Sequence, residues 1–203
     1  MGLYVHVLLF LGTASFVNAG CPLIPAIANF DPDRFEGRWF PVEYLDTGAT
    51  SLLLGSSQTC PEAEFTHTGN LTFLYSRTWK YEFGDAIIEL TMDGTLSPIS
   101  PNFPNYFEST MSYWMRAPKT RLYILDTNYI RHAILYSCTD YGIFGTIEMG
   151  WIYHRRQAGF TERRRTRVFG EVEARIPFLD TSKFIKYRQR CLGFGNFSTP
   201  APV

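Results

Sequence analysis

From residue 37 onward the chain repeats short runs in which apolar and polar positions alternate, separated by residues that favour turns. A period of two marks strands whose side chains point alternately to two faces. The pattern predicts strands at 37–45, 58–67, 71–81, 86–93, 106–116, 122–127, 132–139 and 146–154. Thr68-Gly69-Asn70, Phe83-Gly84-Asp85, Asp93-Gly94 and Tyr141-Gly142 supply turn residues between them. Residues 97–105, with Pro98, Pro101 and Pro104, read as a Pro-stiffened loop. Eight strands in simple succession predict an all-β fold, an up-and-down antiparallel barrel whose closure removes the sheet edges and whose interior holds side chains or one small ligand.

The period changes once. In residues 161–176 Phe169, Val172 and Ile176 share one helical face, and Pro177 stops the run, so a single C-terminal α-helix is expected on the barrel wall. Arg163, Arg164, Arg165 and Arg167 crowd its first turns, behind Arg155 and Arg156. Two readings stay open for them: a solvated basic face, or a patch for an anionic membrane, receptor or glycan. A further strand is expected at 184–187 and a loose tail at 196–203.

Ahead of the strands, residues 3–17 are almost uninterruptedly apolar and lead to Val17-Asn18-Ala19, the form of a secretory signal peptide spanning 1–19. That leaves 20–203 as one domain of an exported, extracellular protein. Lys plus Arg and Asp plus Glu both total 19, so no global field recruits nucleic acid. Aromatic residues, at 16%, are the excess in the composition and suggest a large aromatic core or a pocket. Cys21, Cys60, Cys138 and Cys191 favour two disulfides, with three pairings open. No two of them stand at C-x-x-C distance and the histidines are scattered, so no metal site is expected. Asn70 and Asn196 head N-glycosylation triplets.

Catalytic patterns are missing from the sequence: there is no G-x-S-x-G elbow, Walker loop, H-E-x-x-H or dinucleotide fingerprint. No catalytic residue is nominated and no enzyme is expected. Glu43, Glu62, Glu64, Glu89 and Asp126 read as outward or barrel-end charges, and His67, His132 and His154 as solvated strand ends. Parity is more telling in the third strand. A glycan on Asn70 must face outward, which turns Leu71, Phe73, Tyr75, Arg77 and Trp79 inward.

Gly37-x-Trp39 at the start of the first strand resembles the first signature of the lipocalins. The segment 123–129, with Thr127 and Tyr129 and with Asn128 in place of the usual Asp, is similar to the second. Trp151-Ile152-Tyr153-His154-Arg155 is similar to the third. The resemblance runs from about residue 21 to 191 and is strongest to the apolipoprotein D and bilin-binding branch, which shares TSKFIKY and the four cysteine positions. It implies that Trp39 plugs the closed end of the barrel beneath the Arg155 guanidinium. It implies the pairing Cys21–Cys138 and Cys60–Cys191, loops whose closure contributes up to about 4–5 kcal/mol each on the chain-entropy model. It places Phe65, Tyr75, Trp79 and Tyr123 on the pocket wall, beside the inward Phe73, and Arg131 at the cavity mouth.

The function implied is a secreted carrier of a small hydrophobic molecule such as a bilin, sterol, retinoid or fatty acid, with no required cofactor. The alternative is a barrel filled by its own aromatics, acting through the Arg163–Arg165 face.

Overall fold

The computed structural model describes residues 20–25, 27, 29–48, 58–83, 86–111, 120–189 and 191. The expected leader 1–19, Asn196, the tail 196–203 and the part of the fifth strand beyond residue 111 lie outside the described residues.

A four-residue helix, α1 (Pro32–Phe35), opens the fold. Pro32 sets its first turn and the Asp31 side chain accepts from the Arg34 amide. Eight antiparallel strands follow in order: β1 (Gly37–Asp46), β2 (Gln58–Gly69), β3 (Thr72–Phe83), β4 (Ala86–Pro98), β5 (Tyr106–Met111), β6 (Thr120–Thr127), β7 (His132–Asp140) and β8 (Thr146–His154). Each strand pairs with the next, and β1 pairs with both β8 and β2, so the sheet closes into a barrel. Then come α2 (Glu162–Arg175) and a two-residue strand, β9 (Ile185–Lys186).

One turn assignment is corrected. Asp93-Gly94 lies inside β4, which runs on to Pro98, because Gly94 is paired on both sides, with Tyr75 of β3 and Met111 of β5. A Gly flanked by two partners bends no chain back, so the Pro-rich connection is confined to 99–105.

The seam of the barrel has three parts. Residues 37–39 of β1 pair with β2, and a bulge between Pro41 and Glu43 then turns β1 away from it. The chain end occupies the gap: β9 pairs with Glu43 and Tyr44, and the Arg188 carbonyl accepts from the Cys60 amide at 3.1 Å. Disulfides join Cys21 to Cys138 and Cys60 to Cys191. Gly150 lets this return path lie close, since a Cβ there would stand 2.7 Å from the Phe184 ring.

Two cores flank the wall. Inside the barrel pack Phe30, Phe35, Trp39, Phe65, Phe73, Leu96, Phe107 and Leu135 with their neighbours. Outside, Phe169 and Val172 of α2 cover Val42, Leu45, Leu125, Ile134, Tyr136 and Ile152. This cover corrects the reading of three side chains as solvated. Glu43 is 3% exposed and meets Arg165 through two 2.7 Å hydrogen bonds. His132 is buried against Asp126 at 2.8 Å, and Arg175 of α2 donates to the other oxygen of that carboxylate. Burial would raise the Asp126 pKa, but its bonds with His132 and Arg175 outweigh this and hold the carboxyl below its usual range.

His154, buried against the Phe160 ring, has its imidazole pKa pushed down by that burial, which outweighs its hydrogen bond to the Arg156 backbone. The unfolded chain therefore binds a proton here at higher pH than the folded one. The associated stability is complete above the ordinary imidazole value, about 6.5, and declines as pH falls below it. His154→Gln should flatten the dependence of melting temperature on pH as it falls below about 6.5; an unchanged slope would assign it to another group.

Candidate ligand site

The barrel is filled at one end. Gly37, at φ +91°, makes the backbone turn that an L side chain disfavours, and a Cβ there would stand 3.3 Å from Arg155. Two residues on, Trp39 is fully buried, stacks on Phe35 with centroids 5.3 Å apart, and donates its indole N–H to the Phe35 carbonyl at 2.8 Å. The Arg155 guanidinium lies 3.8 Å over the indole and donates to the carbonyls of Arg34, Phe35, Glu36, Arg38 and Tyr129. Burial lowers the Arg155 pKa to about 10, which leaves it charged at neutral pH. Above this plug Phe65, Phe73 and Phe107 pack edge to face with Phe30 and Phe35, at 5.1–6.5 Å between centroids. Phe65 and Phe73 thus form the floor.

Higher up the lining becomes polar. The Tyr75 hydroxyl stands 3.2 Å from that of Tyr153, and Phe65 lies against the Tyr75 ring. Arg77, two residues along β3, donates to the Tyr187 hydroxyl at 2.8 Å and lies 5.5 Å from the Trp79 and Trp151 rings. Burial pushes the Tyr153 phenol well up, and the Tyr187 phenol up too, so both stay neutral beside the cation. Arg77, Met92, Met149 and Trp151 are on inward positions yet keep accessible surface, whereas Phe65, Phe73, Leu96 and Phe107 have none to speak of. At the rim, Leu90 and Ile88, paired with the inward Trp79 and Tyr81, are exposed. The site is an aromatic cup closed below, in whose upper part Arg77, Met92, Met149 and Trp151 are half-exposed among the buried Tyr75, Trp79 and Tyr81.

Of the expected wall residues, the structure brings Tyr75 and Trp79 together with Arg77. It places two elsewhere. Tyr123 is on the outer wall, stacked on Tyr106 at 4.2 Å and packed with the core under α2, while Leu122 and Ile124 take the inner face. Arg131 is exposed in the β6–β7 turn at the Trp39 end, its carbonyl accepting from the Arg155 amide, and so lies opposite the mouth. Thr127 and Tyr129 belong to that same end: the Thr127 hydroxyl accepts from the Tyr129 amide, and the Tyr129 hydroxyl accepts from the Asp31 amide. Trp151, Tyr153 and Tyr187 are lining residues that the sequence reading did not nominate. Parity along β8 from Trp151 could have found the first two; nothing local announces Tyr187, which the chain end carries in.

The Arg run divides likewise. Arg165 turns inward to Glu43, whereas Arg163, Arg164, Arg167 and Arg175 border an outer groove of about 550 Å³ beside Asp126 and His132. Asn70 is exposed in the β2–β3 turn. Among the described residues no group of three or more His, Cys, Asp or Glu is placed to hold a metal ion.

No family model matches the chain. It is 27% identical over 148 residues to apolipoprotein D of Rattus norvegicus, a match covering 70% of this chain and 69% of that protein. Apolipoprotein D of Mus musculus is 25% identical over 142 residues, 66% of each. Among solved structures, insecticyanin from the tobacco hornworm Manduca sexta superposes with a TM-score of 0.62 at 22% identity, covering 82% of this chain and 85% of that one. Lobster apocrustacyanin A1 gives 0.55 at 23%, covering 77% and 78%. With the closed eight-stranded barrel, the Gly37-x-Trp39 plug under Arg155 and these matches in agreement, the chain has the lipocalin fold and is similar in sequence to apolipoprotein D.

Proposed function

We propose that this protein of lipocalin fold is secreted and carries a small hydrophobic molecule in the upper half of its barrel. One observation carries the reading: Arg77, Met92, Met149 and Trp151 are on inward positions yet half-exposed, whereas the inward residues packed around Trp39 are fully buried. Aromatic and thioether walls with a few polar groups are what a small apolar ligand needs, and burial of its surface at about 25 cal/mol per Å² supplies the driving force. The relationship to apolipoprotein D, by its name the protein part of a lipid carrier, supports a lipid-like cargo such as a fatty acid, sterol, retinoid or bilin. Tyr75, Trp79 and Trp151 form the contact surface, with Phe65 and Phe73 beneath it. The two disulfides suit an oxidising compartment, and the exposed Asn70 suits a glycan. No cofactor is needed for carriage and no catalytic residue is assigned.

Protein secreted from eukaryotic cells and purified without detergent should release a chromophore or lipid on organic extraction, seen as lost visible absorption or native mass. The extracted protein should show Trp fluorescence quenching by retinol, a sterol or a fatty acid, weakened several-fold in Trp79→Ala. No released molecule and no quenching would remove the carrier reading. The groove beside Arg163 and Arg164 would then be the favoured site, acting on an anionic partner with salt-sensitive affinity.

A further inference from the structure

Arg77 is the one cation that β3 turns into the barrel. Its guanidinium has donors left over. One terminal nitrogen reaches the Tyr187 hydroxyl, while the Nε–H is buried with no hydrogen-bond partner. Among the described residues no carboxylate lies within ion-pair distance of it; its surroundings are the hydroxyl of Tyr187 and the rings of Trp79 and Trp151. Two other half-buried Arg side chains among the described residues are answered: Arg165 by Glu43, and Arg155 by five backbone carbonyls.

The Arg77 guanidinium is charged at neutral pH, and a buried N–H donor without an acceptor is costly. Two further buried polar atoms on inward positions, the Trp79 Nε1–H and the Ser137 hydroxyl, are also unpartnered. Leu135, two residues before Ser137 on β7, pairs with Trp151, so this strand faces the same level of the cup as Arg77.

Resting on the carrier reading above, the geometry points to a ligand that is not merely apolar but carries an acidic head: a carboxylate seated on Arg77, with its hydrocarbon or ring body running toward Leu90 and Ile88 at the rim. A carboxylate accepts from a guanidinium through two parallel bonds, and here the Nε–H is the donor left free for one of them. Neutral sterols and alcohols would fill the same walls without answering the charge.

The test uses the full-length secreted protein after organic extraction, with matched probes that differ only in the head: oleic acid against oleyl alcohol and methyl oleate, and retinoic acid against retinol, each followed by Trp quenching. The acid of each pair should bind about 10- to 100-fold more tightly than its neutral partners. Arg77→Gln should abolish that preference, so that the acid and neutral probes of each set bind alike. Tyr187→Phe, which frees the guanidinium from its hydroxyl partner, should keep the preference. Equal binding of acid and neutral probes by the unaltered protein would overturn the acidic-head inference and leave the carrier reading standing. Failure of every probe, charged and neutral, would overturn both. The comparison on the unaltered protein decides the matter even if Arg77→Gln does not fold.

Discussion

Trp39→Ala is expected to lower the unfolding free energy by about 4–5 kcal/mol. The indole is fully buried, so its removal leaves a cavity at the narrow end of the barrel that Phe35, Phe65 and Phe73 cannot collapse to fill while they remain packed edge to face. Large-to-small changes of this kind cost about 3–5 kcal/mol, and the face beneath a desolvated cation adds up to about 2, the two not being fully additive. Arg155 would keep its five carbonyl acceptors but lose the ring 3.8 Å below it. Trp39→Phe, which keeps a face and loses the N–H donated to Phe35, should cost about half as much. Urea unfolding with an unchanged m-value is the measurement. A loss below about 1 kcal/mol in Trp39→Ala would mean that the plug is dispensable and the barrel is held mainly by its strands and disulfides.

The second large effect is predicted at the outer wall. Arg165→Ala should destabilise by about 2–4 kcal/mol, while Arg163→Ala and Arg164→Ala, two and one positions away in sequence, should each stay within about 0.5 kcal/mol. The difference follows from what the side chains touch. Glu43 is buried, and both its oxygens accept from Arg165, which also lies 4.3 Å over the Phe169 ring; deleting the guanidinium strands a carboxylate under α2. Partial exposure of Arg165 keeps the figure at the lower part of the range for buried pairs. The joint replacement Glu43→Leu with Arg165→Met should recover most of the loss, since a packed apolar pair needs no compensation. If the double variant is as unstable as Arg165→Ala alone, the pair is holding the β1 bulge rather than cancelling charge. Equal effects at 163, 164 and 165 would show that the helix draws no special hold from Glu43.

How far the sequence reached depended on whether a strand had one buried face or two. β3 was legible because Leu74 and Thr78 on one side and Phe73, Tyr75 and Trp79 on the other differ in kind. β6 was not, because Leu122, Tyr123, Ile124 and Leu125 are apolar on both sides, with α2 covering the outer one and a bulge between Ile124 and Asp126 breaking the alternation besides. Tyr123 was misplaced for that reason. Glu43, His132 and His154 looked solvated because a strand's own pattern does not record what later packs over it. The fault at Asp93-Gly94 was of another sort: turn residues bend a chain only where its neighbours leave it unpaired, and both sides of β4 are taken. Arg131 fell at the wrong end because one residue's level in a barrel depends on strand stagger, which a linear alignment does not carry.

The barrel seam has a bearing on how the protein is made. Among the described residues β1 and β2 form a strand ladder over only three paired positions, and the rest of the gap is held by β9 and Arg188, tied down by a disulfide that spans 131 residues. On the ribosome the first strands are extruded long before the piece that seals them. Until that piece arrives the nascent sheet has an unzipped edge and an aromatic interior open along its side as well as at its mouth. Oxidation of Cys60 with Cys191 is thus the latch on a wall that is completed last, and a chain held reduced after synthesis would hold that wall by the β9 pairing and the Tyr187 contacts alone.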